Sequence, residues 1–144
     1  MNKLLLLALA AMVSLLSACG DRAEYAAHRV ERSKPKMEVT DDRIALRRAP
    51  YPNLDIQPDG GLRVDDIAIP LMPEQQQILQ TGFVKLQILR QNTLVDATPA
   101  SKPGERTLPI VIPPGQEPFP ADLAEHIPEF KQYSEALANP RALR

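Results

Sequence analysis

Apolar and polar positions alternate in three short stretches of the chain. Ile44 and Leu46 alternate with Arg43, Ala45 and Arg47, and Leu54-Asp55-Ile56 and Leu62-Arg63-Val64 repeat the pattern with a period of two. That period predicts half-buried strands. Pro58-Asp59-Gly60-Gly61 joins the second and third stretches with the residues of a hairpin turn. Ile67-Ala68-Ile69 continues as a strand after a kink at Asp65-Asp66, until Pro70 ends any pairing that needs its N–H.

From Pro73 the period changes. Proline suits the first position of a helix, and Glu74 places negative charge at its positive end. Ile78, Leu79, Phe83, Leu86 and Leu89 form one stripe at helical spacing up to about Asp96, expected to cover the hairpin. Val84, Ile88 and Val95 repeat at spacings of four and seven on another side of the same helix. A helix apolar on two sides needs two partners. The second stripe is therefore a candidate interaction face for a second copy, a protein partner or the chain's own Leu108 to Ile112 segment.

On either side of this region the periodicity fades. Gly20 to Glu38 mixes Arg22, Arg29, Arg32, Lys34 and Lys36 with Asp21, Glu24 and Glu31, and reads as a solvated tether in which Ala23 to Arg32 is a short, marginal helix. Eight prolines fall between Pro99 and Pro128, which precludes a long helix or a central strand. Leu108 to Ile112 reads as an edge strand or an extended polyproline segment, and Asp122 to Ile127 and Glu129 to Leu137 as short helices around Pro128. This last third is expected to be the least ordered part, or to lie extended over the core. The whole gives an α+β fold: a small hairpin or meander on one long helix, with a disordered N-terminal tether and a proline-rich C-terminal tail. The expected division is a leader at 1–18, a tether at 19–41, an α+β domain at 42–97 and the tail at 98–144.

The first twenty residues carry an address. Lys3 precedes Leu4 to Leu16, a stretch apolar apart from Ser14, which fits the apolar region of a signal peptide and is too short to span a bilayer comfortably. It runs into Leu16-Ser17-Ala18-Cys19: an aliphatic residue, two small residues and a cysteine. This run resembles the lipobox of bacterial lipoproteins. The resemblance implies cleavage before Cys19, a diacylglyceryl thioether on its thiol and an acyl chain such as palmitate on its new amino group. Two or three acyl chains hold a protein on a membrane without a transmembrane helix. Gly20 rather than Asp follows the cysteine, which favours the periplasmic face of the outer membrane over the inner membrane.

A second resemblance covers residues 54–79. Leu54-Asp55-Ile56, Asp59-Gly60-Gly61, Leu62-Arg63-Val64, Ile67 to Leu71, Pro73-Glu74-Gln75 and Ile78-Leu79 are similar to the start of the uncharacterised YggN-type exported proteins of proteobacteria. It implies periplasmic exposure and assigns no activity. The similarity stops at Arg90, short of the proline-rich tail.

Composition narrows the function mainly by exclusion. The 144 residues hold 17 Lys and Arg against 18 Asp and Glu, and removal of the leader takes Lys3 with it. A near-neutral chain has no basic field for nucleic acid, and three Tyr and three Phe scattered among acidic residues make no stacking platform. One Cys excludes a disulfide framework or a cysteine-rich metal site. Gly60-Gly61 lacks the lysine and spacing of a phosphate loop. Asp41-Asp42 and Asp65-Asp66 are paired carboxylates best explained by caps and turns. His28 lies in the tether. His126, beside Glu125 and three residues before Glu129, has Pro128 in the way of a shared helical face. No catalytic group, cofactor, metal or small-molecule substrate is therefore expected. The sequence reads as a non-catalytic envelope lipoprotein, an accessory or protein-binding component held to the membrane through Cys19 that meets a protein partner or a second copy. Two alternatives are an inhibitor or immunity lipoprotein against a wall-degrading toxin, and a small periplasmic hydrolase using His126 with Glu125 or Glu129.

Overall fold

The computed structural model describes residues 20–97 and 106–144, which fall into two compact units, one ending at Lys34 and one running from Pro35 to Arg144. In the first, Gly20–Ser33 forms helix α1, whose Tyr25 and Val30 are exposed. Cys19 and the expected leader lie outside the described residues. Among the described residues no helix is long and apolar enough to cross a membrane.

The second unit is a seven-stranded mixed sheet carrying its helices on one side, an α+β fold. The strands are β1 (Lys36–Val39), β2 (Ile44–Arg47), β3 (Leu54–Ile56), β4 (Leu62–Val64), β5 (Ile67–Ile69), β6 (Thr107–Pro109) and β7 (Pro140–Leu143), in the order β5-β4-β3-β2-β1-β7-β6. The first five form an antiparallel meander. The predicted β3–β4 hairpin forms, with Leu54 opposite Val64 and Ile56 opposite Leu62. Its turn requires glycine at position 60, where φ is +82° and a Cβ would stand 2.2 Å from the Gln76 carbonyl oxygen.

Register builds the core. Met37, Leu46 and Leu54 form one cross-strand row, and Val39, Ile44, Ile56 and Leu62 form the next. All seven are buried. The intervening row, Glu38, Ala45, Asp55 and Arg63, faces the other way. There Arg47 donates to Asp55 at 2.8 Å, which satisfies a carboxylate that is only 5% exposed.

The long helix α2 occupies Pro73–Asp96, as its start signals and stripe predict. Leu79, Phe83, Leu86 and Leu89 are buried, and Ile78 is partly so. The stripe shares one core cluster with Leu54, Ile56 and Leu62 of the hairpin, and its cover extends beyond the hairpin. The helix also packs on β7, β1 and β6, and it meets the hairpin turn where Gln76 Nε2 donates to the Asp59 carbonyl at 2.9 Å.

Both flanking segments depart from the sequence reading. Lys36–Val39, inside the expected tether of 19–41, is a central strand. It pairs with β2 on one side and in parallel with β7 on the other. The proline-rich tail supplies β6 and β7, joined antiparallel, so the folded unit extends well beyond the expected 42–97. Helix α3 (Leu123–His126), a 3₁₀ turn (Pro128–Gln132) and helix α4 (Ser134–Leu137) complete the helical layer. They bury Leu123, Ile127, Phe130, Tyr133 and Ala136. The prolines shorten these helices without preventing burial, because each element needs only one or two apolar anchors on a face the sheet already offers.

Candidate functional site

Helix α2 carries its core stripe on one side and leaves the other to solvent. Val84, Ile88 and Val95 are 53, 57 and 71% exposed, so the second stripe has no cover among the described residues. The Leu108 to Ile112 segment does not supply one. Leu108 and Ile110 are buried in the core, where β6 pairs with β7 and the Ile110 N–H donates to the Pro140 carbonyl at 2.9 Å.

Beside this stripe runs a groove of about 770 Å³. One wall is α2, with Glu74, Ile78, Thr81 and Lys85. The other is the loop from Gly115 to Ala121, with Glu117, Pro118, Phe119 and Pro120. A smaller hollow of about 200 Å³ follows, lined by Ile88, Leu89, Asn92 and Gln116. The two share Lys85 and Gly115, so they adjoin along the helix.

Three features hold the loop in place. Lys85 Nζ donates to the Glu117 carbonyl at 3.1 Å. Gly115 takes φ +79°, and its N–H donates to the Glu117 carboxylate at 3.3 Å. The Phe119 ring lies against α2 at Gly82, the one position on that face with no side chain to hold it off. The N-terminal end of the groove is braced by Gln75. Its side-chain carbonyl accepts the Met72 N–H at 2.9 Å, and its amide donates to the His126 carbonyl at 2.6 Å.

Of the charges on the groove, Glu74 and Glu117 are carboxylates, and Lys85 is a cation already turned toward the loop backbone. The rest of the lining is apolar or uncharged, with Gln77, Thr81, Asn92 and Gln116 as its hydrogen-bonding groups. Such a lining offers apolar area together with hydrogen-bonding and charged groups.

The structure does not gather the other candidate residues into a reactive group. His126 is half exposed, and its Nε2 faces Asp122 Oδ2 at 3.2 Å, one helical turn away. Glu125 and Glu129 point to solvent and make no bond with it. The described residues hold no group of three or more His, Cys, Asp or Glu that could bind a metal ion. Asp42 accepts the Thr40 hydroxyl, and Asp65 and Asp66 occupy a turn with φ +45° and +69°, where the Asp65 carboxylate accepts the Asn53 N–H at 2.8 Å. Both acidic pairs are accounted for by turns.

One cluster was not signalled by the sequence. Arg48 lies 4.8 Å from the centre of the Tyr51 ring, which meets Tyr133 edge-on at 6.3 Å, and the Tyr133 hydroxyl donates to the Pro52 carbonyl. Burial, with Asp65 nearby, raises the Tyr133 hydroxyl above the ordinary tyrosine range. The cluster fastens the tail to the β2–β3 loop across 81 residues of sequence.

Comparison of the chain with protein-family models, with curated proteins and with solved structures finds no match.

Proposed function

We propose that the chain is a lipid-anchored, non-catalytic protein of the bacterial envelope, held through Cys19 at the periplasmic face of the outer membrane, and that it binds a protein partner through the outer side of α2. The single observation that carries the binding role is the α2 stripe. Val84, Ile88 and Val95 are each more than half exposed on a helix whose core contacts are already made by Leu79, Phe83, Leu86 and Leu89. Aliphatic side chains clustered at one surface favour contact with another molecule. The anchor rests on the Leu16-Ser17-Ala18-Cys19 motif and the apolar stretch before it.

The test is a photo-crosslinking residue placed in living cells at Ile88, with Lys131 as the control position. A discrete adduct from position 88 and none from position 131 supports the reading. No adduct, or the same adducts from both positions, overturns it.

A further inference from the structure

The groove beside the α2 stripe constrains what can occupy it, and this inference rests on the reading of that face as a partner-binding surface. From Glu74 to Asn92 the two adjoining hollows follow 19 residues of helix, a rise of about 27 Å at 1.5 Å per residue. A peptide in extended conformation covers that length with about eight residues. The groove's two walls are a helix and a loop carrying Pro118, Phe119 and Pro120, and Ile88 of the apolar stripe lines its second hollow. Amides and a hydroxyl at Gln77, Thr81, Asn92 and Gln116 are spaced along it, where they can meet the N–H and C=O groups that an extended backbone presents.

Charge selects among occupants. Two carboxylates, Glu74 and Glu117, face one ammonium, and that ammonium already donates to the Glu117 carbonyl. A second copy docked face to face would bring the same excess of negative charge, and an anionic lipid surface would also bring negative charge. A basic side chain would find a carboxylate free to pair. We infer that the groove between α2 and the Gly115–Ala121 loop binds an extended, apolar peptide segment of about eight residues that carries a lysine or arginine.

The experiment pans randomised octapeptides displayed on phage against the full chain carrying Cys19→Ser, then measures the enriched peptide by fluorescence anisotropy. The expected result is enrichment of aliphatic residues together with Lys or Arg. Ile88→Glu should weaken binding at least tenfold, Glu74→Lys should weaken it severalfold, and added salt should reduce the difference between wild type and Glu74→Lys. Both positions are exposed, and unchanged circular dichroism shows that the variants are folded. Thr81→Arg, which projects a long side chain into the groove, should also block binding. Absence of enrichment, enrichment of acidic peptides, or equal binding to Ile88→Glu overturns the inference. So does a dimer in light scattering that Ile88→Glu disperses, because the occupant is then a second copy. A position-specific crosslink from Ile88 with no peptide enrichment leaves the partner-binding reading standing and removes this one.

Discussion

Phe119 fills the space that a side chain at residue 82 would need: a Cβ on Gly82 would come 2.1 Å from the Phe119 ring. A glycine in the middle of α2 lowers helix propensity by about 1 kcal/mol relative to alanine. The ring contact and the groove wall it supports depend on that glycine.

Gly82→Ala should therefore destabilise the protein although alanine is the better helix former. The expected loss is about 1 to 3 kcal/mol, because the ring and its loop must move away. Gly82→Ala combined with Phe119→Ala should cost less than the two single changes added together. Urea melts of the four proteins give the coupling, and limited proteolysis in the Pro113–Ala121 loop shows whether it has detached. Additive single changes would mean that the contact carries no energy.

Removal of residues 98–144 should abolish the fold. It takes away Leu108, Ile110, Leu123, Ile127 and Phe130 from the core and leaves one side of β1 unpaired. The truncated chain should show no cooperative transition in urea, measured by far-ultraviolet circular dichroism. A cooperative melt would make 42–97 a domain in its own right.

The two edges of the sheet should resist self-association. At β6 the Ile110 N–H donates to the Pro140 carbonyl and the Arg106 carbonyl accepts the Arg144 N–H, so Pro109, the last residue of the strand, faces the open edge with no N–H to offer. At the other edge Pro70 closes β5 after three residues. Pro109→Val restores a donor on an exposed, β-favouring residue, and light scattering should detect association that the parent chain does not show.

Asp42 gives a pH-dependent marker of the β1–β2 turn. The Thr40 hydroxyl donates to its carboxylate and holds its pKa below the ordinary carboxylate value. Folding thus favours the ionised form. The contribution is present above the unfolded value and is lost as pH falls through the lowered folded one. Carbon-detected NMR titration should place Asp42 low in the parent chain and return it toward the ordinary value in Thr40→Val.

Anchoring has its own test. Cys19→Ser should move the protein from the membrane fraction to the soluble one and prevent incorporation of labelled palmitate. Unchanged membrane association in the variant would remove the lipid from the proposed function.

The elements legible in the sequence were those specified locally. The Pro58 to Gly61 turn chemistry, the alternation in Leu54-Asp55-Ile56 and Leu62-Arg63-Val64, and the Pro73-Glu74 helix start lie within a few residues of the structure they produce. Strand β1 was hidden because Lys36-Met37-Glu38-Val39 has the charge mixture of a tether. Only pairing with β2 and β7, the latter about 100 residues away in sequence, shows that Met37 and Val39 share an inner face. The same holds for β7, whose Pro140-Arg141-Ala142-Leu143 has little strand propensity and is recruited by its partners. At the site, Val84, Ile88 and Val95 could be read from helical spacing. The groove could not, because its second wall depends on where a proline-rich loop returns and on one ring meeting one glycine.

The parallel pairing of β1 with β7 also sets a schedule. Met37 stands opposite Pro140, and the Asn139 side chain donates to the Pro35 carbonyl at 2.9 Å, so the centre of the sheet stays incomplete until residues about 100 positions later arrive. Contacts this distant in sequence form slowly, since the intervening chain must be ordered first. During synthesis the meander and α2 would emerge before the strand that completes their sheet.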